Sequence, residues 1–263
     1  MIRRKSAREI TLKTPREIEM MREAGRIAAR ARELAGKLVK VGATTRSINK
    51  AVHEYIISQG AVPSFLGYRN FPASVCISVN EEVIHGLPAS RKLVQGDLVS
   101  IDIGATKNGF VGDCSATFIA GNGSPESERL IKVTRECFYE GLKNAVAGNR
   151  ISDISRAIQK HAEENGYSVV REYTGHGVGT KVHEPPEIPN FVEIPRRGPD
   201  PRLISGMTLA VEPMVNAGKA EIKVLSDGWT VITADGKNSA HYENTILITN
   251  GEPEILTVCE DNV

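Results

Sequence analysis

The chain repeats itself. Gly42, Ile48, Ala51, Val52 and Gly60 recur 106 positions later as Gly148, Ile154, Ala157, Ile158 and Gly166. Further on, Val83 to Pro88 (VIHGLP) matches Lys181 to Pro186 (KVHEPP), which sets His85 against His183 at an offset of 98. Gly96 to Asp102 (GDLVSID) matches Gly206 to Glu212 (GMTLAVE) at an offset of 110. A weak repeat of this kind narrows the fold, because each copy builds the same supersecondary unit and the copies bury a face together. Each half holds two helical segments, a histidine and a strand ending in a carboxylate. Two such halves in one sheet, about a pseudo-twofold axis, bring the matched polar residues to the axis. The expectation is a single domain over residues 14–263, preceded by a short arm over 1–13.

Between the copies lies Val99 to Phe118, VSIDIGATKNGFVGDCSATF. Val99, Ile101 and Ile103 alternate with Ser100, Asp102 and Gly104, and Asn108-Gly109 is a strong signal for a two-residue type I′ hairpin turn. With those two residues as the loop, Lys107 faces Phe110 and Asp102 faces Ser115. Asp113 is then a diagonal neighbour of Asp102 on the same face, roughly 7–8 Å away by Cα. Two carboxylates that close repel unless a proton or a cation lies between them. Such a pair can grip two metal ions about 3.5–4 Å apart.

Around this hairpin the pattern predicts four helices. Thr14-Pro15-Arg16-Glu17 is a capping box with proline at the first helical position, and Ile18, Met21, Ala28, Ala31, Leu34 and Leu38 follow at helical spacing. A second helix runs from about Thr45 to Gln59 and ends at Gly60 as C′ residue. A third opens at Ser124-Pro125 and reaches about Ala147. A fourth spans about Ser152 to Asn165. SVCISV and EEVIHG read as strands, as do SVVREY, MTLAVE, GWTVIT, AHYENTILIT and EPEILTV further on. Paired helices with tight hairpins predict an α+β fold, helices covering one face of a mainly antiparallel sheet.

Composition excludes several classes. A net charge of +1 with 25% charged residues gives no electrostatic footprint for nucleic acid. The four cysteines, Cys76, Cys114, Cys137 and Cys259, lie far apart with no C-x-x-C, which argues against a disulfide framework or zinc knuckle and fits a reducing cytoplasm. The basic MIRRK start has no apolar h-region, so it does not read as a secretory signal, and no run approaches the ~20 apolar residues of a membrane span.

Five residues form a candidate metal cage: Asp102, Asp113, His176, Glu212 and Glu243. His176 lies in Thr174-Gly-His-Gly-Val-Gly, where glycines let backbone come close. Glu212 ends the apolar run Leu209-Ala-Val and precedes Pro213. Glu243 opens the strand Asn244-Thr-Ile-Leu-Ile. Singly, each is an ordinary strand-end carboxylate or core histidine; five of them on sheet segments, two paired by the repeat, form a pattern. One imidazole with four carboxylates is a hard, oxygen-rich set, suited to Mn²⁺, Fe²⁺, Co²⁺ or Zn²⁺ in a two-metal hydrolase rather than to a thiolate-rich structural zinc site. His85 and His183 flank the same centre as a substrate-handling pair would. His53 and His161 lie on helices without a role, and His241, two residues from Glu243, is left unassigned.

The motifs SVCISVNEEVIHG, IDIGATKNGFVGDCSATF, YTGHGVGTKVHEPP, TLAVEPMVN and DGWTVITADGKNSAHYENTILIT resemble, in order, those of type I methionine aminopeptidases, metallopeptidases of the pita-bread fold. The likeness runs from about Thr14 onward. It implies removal of the initiator methionine when the second residue is small, through a metal-activated water at a dinuclear site. Asp102 would chelate one ion, His176 and Glu212 the other, and Asp113 and Glu243 would bridge them. His85 and His183 would contact substrate, Glu212 would shuttle a proton, and Tyr68, Phe71, Cys76 and Trp229 would line the methionine pocket. The cysteine in SVCISVN and the short interval of 36 residues from His176 to Glu212 (212 − 176) are similar to type I rather than type II. Phe65 departs from the cysteine of some members, Val182 from phenylalanine and Cys114 from threonine, which touches the shape of the pocket. A monovalent cation near Asn80 and Ser239 is implied by the resemblance alone. The implied partners are N-termini of nascent proteins, with the basic arm a candidate for ribosome proximity. The chain is expected to act as a cytoplasmic monomer without nucleic acid or membrane. Two rivals share the fold: a proline-directed peptidase, usually carrying a large N-terminal domain where only about 13 residues precede the first helix here, and a binding protein that has lost metal ligands.

Overall fold

The computed structural model describes residues 10–193, 195 and 198–259; the MIRRK segment and most of the predicted arm lie outside the described residues. Among the described residues there are four α-helices: α1 (Pro15–Leu38), α2 (Thr45–Ser58), α3 (Pro125–Leu142) and α4 (Ile151–Glu164). At the start of α1 the predicted box closes, with Thr14 N–H donating to Glu17 Oε2 at 2.7 Å and Glu17 N–H to Thr14 Oγ1 at 3.4 Å. The buried face of α1 is mostly small, including Ala24, Gly25, Ala28, Ala31 and Ala35. That allows backbone-to-backbone packing on the sheet: a Cβ at Gly112 would lie 2.5 Å from Gly25 N.

The strands are β1 (Val62–Pro63), β2 (Val75–Val79), β3 (Glu82–Ile84), β4 (Leu98–Lys107), β5 (Phe110–Ile119), β6 (Ser168–Val169), β7 (Thr174–Gly177), β8 (Glu184–Pro189), β9 (Thr208–Val211), β10 (Met214–Asn216), β11 (Ile222–Val224), β12 (Val231–Thr233), β13 (Ser239–His241), β14 (Glu243–Leu247) and β15 (Glu254–Ile255). The main sheet runs β1-β4-β5-β14-β9-β7-β8, with β2 on β4 and β15 on β14. Its pairings are antiparallel. Two smaller sheets, β13-β10-β6 and β11-β12-β3, stand beside it. One apolar core lies where α1 and α2 meet β2 and β4, through Ala28, Ile48, Val52, Ile77 and Ile101. A second lies where α3 and α4 meet β9 and β14, through Phe138, Ile154, Ile158, Leu209 and Ile246.

The repeat is visible in hydrogen bonds. Gly42 N–H donates to Leu93 O at 2.8 Å, and Gly148 N–H to Leu203 O at 2.9 Å. Both glycines have left-handed φ, +88° and +96°, which residues with a Cβ rarely adopt. Bridges Thr44–Lys92 and Arg150–Arg202 follow in step. β4 and β9 then occupy matching places on either side of the central β5–β14 pair, where the twofold axis passes.

The central hairpin has the expected register, Lys107 opposite Phe110 and Asp102 opposite Ser115, with Asn108 and Gly109 at φ +51° and +80°. Elsewhere the predicted boundaries shift. Helix α3 stops at Leu142 rather than Ala147, as Asn144 and Asn149 side chains bond local carbonyls and Gly148 turns the chain away. SVVREY contributes only Ser168–Val169 to a sheet. AHYENTILIT breaks at Tyr242, so β13 pairs with β10 while β14 joins the main sheet. The unpredicted β8 (EPPEIP) is an edge strand, where prolines are tolerated because an outward N–H is not needed.

Candidate metal centre

Register alone gathers the cage. Asp102 pairs with Ser115 and Ser115 with Glu243, and the β14–β9 register continued one step past Val211 brings Glu212 opposite Glu243. Two residues along, Gly104 pairs with Asp113, Thr245 with Ala210, and Ala210 with His176. Thr245 Oγ1 joins Asp113 to this row, accepting from Asp113 N–H at 3.0 Å and donating to Asp113 O at 2.9 Å. Rows two residues apart share one face of a sheet. The five predicted ligands therefore project from one face, and the intervening Gly104, Ser115 and Ala210 are small enough to leave room above them.

The donor atoms converge. One donor atom each from Asp113, His176 and Glu243 lies within 4.8 Å of the others. His176 Nε2 is 3.4 Å from Glu212 Oε1 and 4.0 Å from Asp113 Oδ2. His176 donates its Nδ1–H to Gly177 O at 2.9 Å, which leaves the Nε2 lone pair facing the carboxylates, the tautomer a metal ligand needs. Burial drives the His176 pKa down to about 3, so the ring is neutral. Burial pushes Asp102 up to about 7 and raises Asp113, Glu212 and Glu243 well above the ordinary range, with mutual repulsion adding to each of the last three. Four carboxyls packed this closely cannot all ionise without a compensating cation. Asp102 Oδ1 and Asp113 Oδ1 are buried with no hydrogen-bond partner among the described residues. Orphaned anionic oxygens beside a lone-pair-bearing imidazole fit a divalent metal site of hard donors.

The frame beneath is stiff. From α1, Arg32 reaches through the helix-side face, donating from Nη1 to Glu243 O at 3.0 Å and to Asn244 Oδ1 at 2.9 Å. Asn190 Nδ2 donates to Glu212 O at 2.9 Å, fixing the backbone where β9 ends.

Two further histidines stand near this centre, His183 against His176 and His85 within electrostatic reach of His183 and His241. The His183 ring lies 4.1 Å from that of His176 by centroid, and Tyr68 stacks on His183 at 5.4 Å with its hydroxyl 2.9 Å from Nδ1. His183 stays open to solvent on its outer side. His85 closes β3 with a left-handed φ of +58° and meets Tyr173 edge-on at 5.5 Å. A non-glycine residue held in that region stores strain, a frequent mark of functional positions. Burial lowers the His85 pKa to about 4, with the charge of Arg69 and the neighbouring His183 contributing. Tyr68, Phe71, Cys76 and Trp229 come together in one apolar cluster with Phe65 and Val182. Phe71 and Trp229 meet edge-to-face at 5.1 Å, and Cys76 is the cross-strand partner of Asp102. Of the remaining predicted positions, Asn80 O accepts from Ser239 N–H at 2.9 Å, so these two adjoin. His53 bonds Ser74 and His161 bonds Glu136, both away from the cage.

His241 is the residue that the sequence pattern left unassigned. It is buried, with Nε2 3.7 Å from Glu212 Oε2 and 3.9 Å from Glu243 Oε2. The signal available was its two-residue distance from Glu243; the break at Tyr242 concealed that it arrives from a different sheet.

The model of metallopeptidase family M24 matches residues 19–250 of this chain. A methionine aminopeptidase of Clostridium perfringens (strain 13 / Type A) is 52% identical over 249 residues, covering 95% of this chain and 99% of its own. The crystal structure of methionine aminopeptidase from Thermotoga maritima superposes with a TM-score of 0.91 at 42% identity, covering 95% of this chain and 99% of that one. The prolidase of Pyrococcus furiosus, 24% identical, superposes at 0.76 over 95% of this chain and 66% of its own, a likeness of fold alone. The architecture is thus the α+β pita-bread fold, as expected, and the chain belongs to metallopeptidase family M24, within its methionine aminopeptidase branch.

Proposed function

We propose that this chain is a metal-dependent aminopeptidase that removes the N-terminal methionine from proteins and peptides whose second residue is small. The observation that carries this reading is the pairing of the orphaned Asp/His/Glu cage with an adjoining sulfur- and aromatic-edged cluster. Asp102, Asp113, His176, Glu212 and Glu243 would hold the divalent metal, for which Mn²⁺, Fe²⁺, Co²⁺ and Zn²⁺ all suit the donor set. When bound, such ions supply a Lewis acid and an acidified water.

The chain's own groups do the rest. Glu212 takes a proton at a carboxylate oxygen and passes it to the leaving amine, a role that suits a carboxyl whose proton affinity is raised by burial. With Nδ1 engaged by Tyr68, His183 directs Nε2–H toward the developing oxyanion. His85 holds the scissile nitrogen from the opposite side. Cys76, Tyr68, Phe71 and Trp229 take the thioether, each sulfur–aromatic contact contributing roughly 0.3–1.5 kcal/mol. Four free cysteines support a reducing, cytoplasmic setting, where N-termini of new proteins are the substrates.

Steady-state rates on peptides differing only at the first two positions test this. Met-Ala and Met-Gly termini should be cleaved and Met-Lys or Met-Phe poorly. Norleucine should replace methionine at a cost of about 1–3 kcal/mol, and leucine, branched earlier, should fare worse. Faster release from Xaa-Pro peptides than from Met-Ala would move the chain to the proline-directed reading.

A further inference from the structure

His241 has no place in the roles above, yet its imidazole is wedged against two of the proposed ligands. Its ring is buried and its Nε2 has no hydrogen-bond partner among the described residues. The backbone that carries it is held at both ends. Thr117 Oγ1 accepts from His241 N–H and donates to His241 O, both at 2.9 Å, and itself contacts Ser100 Oγ at 2.8 Å. On its other side β13 places His241 opposite Met214 of β10. The backbone beneath the ring is therefore held between β5 of the main sheet and β10 of the smaller one, independently of the carboxylates the ring faces.

The two oxygens of Glu212 have different neighbours. Oε1 faces His176 Nε2 at 3.4 Å, and Oε2 faces His241 Nε2 at 3.7 Å, with Glu243 Oε2 3.9 Å from the same nitrogen. With Glu212 and Glu243 ionised as metal ligands, a bare lone pair aimed at them is repelled and an N–H is attracted, so the tautomer with hydrogen on Nε2 is the one that state selects. His176 shows the opposite arrangement, with its N–H turned away to Gly177 and its lone pair facing the cage. The two imidazoles thus flank Glu212 in complementary states. Buried polar groups left unpaired cost free energy, and a slight rotation of Glu212 satisfies this one.

We propose that His241 is a positioning residue: its Nε2–H donates to the outer oxygen of Glu212, with Glu243 as alternate acceptor, and so fixes the rotation of the Glu212 carboxylate. This rests on the reading of Glu212 and Glu243 as ligands. Outer-sphere partners of this kind typically change metal affinity about 10–100-fold when removed.

The test uses purified full-length protein, stripped of metal and titrated with Co²⁺ by calorimetry, with the visible Co²⁺ absorption recorded in parallel. His241→Ala should bind Co²⁺ about 10–100-fold more weakly and with an altered spectrum. His241→Gln, which keeps an N–H donor at comparable reach, should restore most of the affinity and the wild-type spectrum. Should alanine fail to fold, His241→Leu, of nearer volume and without a donor, takes its place against glutamine. Wild-type affinity and spectrum in the donorless variant would overturn the proposal. So would a glutamine variant as weak as alanine that also loses a paramagnetically shifted imidazole resonance, since His241 would then be a ligand itself. Glu212→Gln serves as the control: if it binds Co²⁺ as the wild type does, the assignment of ligands has failed, not only the role of His241.

Discussion

In the first half of the molecule, Gly42 donates to Leu93, α2 follows, and the chain returns as β4 with Asp102 within a ten-residue strand. In the second, Gly148 donates to Leu203, α4 follows, and the chain returns as β9, which is four residues long and stops just short of Glu212-Pro213. The backbone frame is repeated closely, and the carboxylate at its end is not. Asp102 is pinned between Cys76 and Ser115 on both flanking strands, on a short side chain. Glu212 stands just past the last paired residue of β9, on a longer side chain, with its carbonyl accepting from Asn190 Nδ2. The same unit has thus produced a carboxylate set by strand pairing in one copy and, in the other, one just past the strand end whose two oxygens face side chains, His176 and His241. The histidines differ too: His85 has a left-handed φ and is half-buried, while His183 is exposed, tilted against His176 and stacked on Tyr68.

The largest effect is expected where the halves meet. Asp113→Asn and Glu243→Gln each remove an anionic oxygen from the central strand pair. Each should lower kcat/KM by at least about 10³-fold, some 4 kcal/mol at 1.36 kcal/mol per decade, since a metal site supplies several kcal/mol. Calorimetry should show one metal equivalent lost. If both variants retain two equivalents, the bridging ligands are not these. Exhaustive chelation should abolish turnover and added divalent metal restore it.

The next contrast is between the histidines. His183→Ala should lose about 10–100-fold in kcat with little change in KM, as expected for a donor used in the transition state. His85→Ala should raise KM more than it lowers kcat, because its ring leans on Tyr173 rather than on a ligand. The reverse pattern would exchange their roles.

Most of the frame could be read before the structure, for physical reasons that differ by residue. Asn108-Gly109 tolerates the paired positive φ of a type I′ turn, and a two-residue turn fixes every pairing in β4–β5, so Asp102 and Asp113 were placed by arithmetic. Thr14 and Glu17 carry their own start signal, and the repeat brought Glu212 to the position of Asp102. What escaped depends on contacts distant in sequence. Arg32 reads as a polar helix position, yet it clamps Glu243 and Asn244, more than 200 residues away, from beneath. His241 reads as part of the strand of Glu243, and the turn at Tyr242 that delivers it from β13 has no glycine or proline to announce it. β8 is rich in proline, which suggests loop until its edge position is known.

The smallest expected effect separates the halves at their second helices. Helix α2 carries its own cap, Thr44 Oγ1 accepting from Ser47 N–H at 3.1 Å. At the matching place α4 has Arg150, which has no acceptor to offer. Its first turn is served instead by Asp200, 48 residues on, whose oxygens accept from Ser152 N–H at 3.1 Å and Ser152 Oγ–H at 2.8 Å. Asp153 completes the arrangement by accepting from Arg150 N–H at 2.9 Å. Thr44→Ala should therefore cost about 1 kcal/mol in urea unfolding, the usual worth of a side-chain cap. Asp200→Ala should cost a similar amount, but through a long-range tether rather than a local one. The double-mutant cycle distinguishes the two. Arg150→Thr supplies α4 with a local cap, so Asp200→Ala should cost less in that background, by roughly 0.5 kcal/mol or more if the two caps serve the same N–H groups. Strict additivity would show that Asp200 stabilises the loop it stands on, not the helix, and that the halves differ less at this point than their hydrogen bonds suggest.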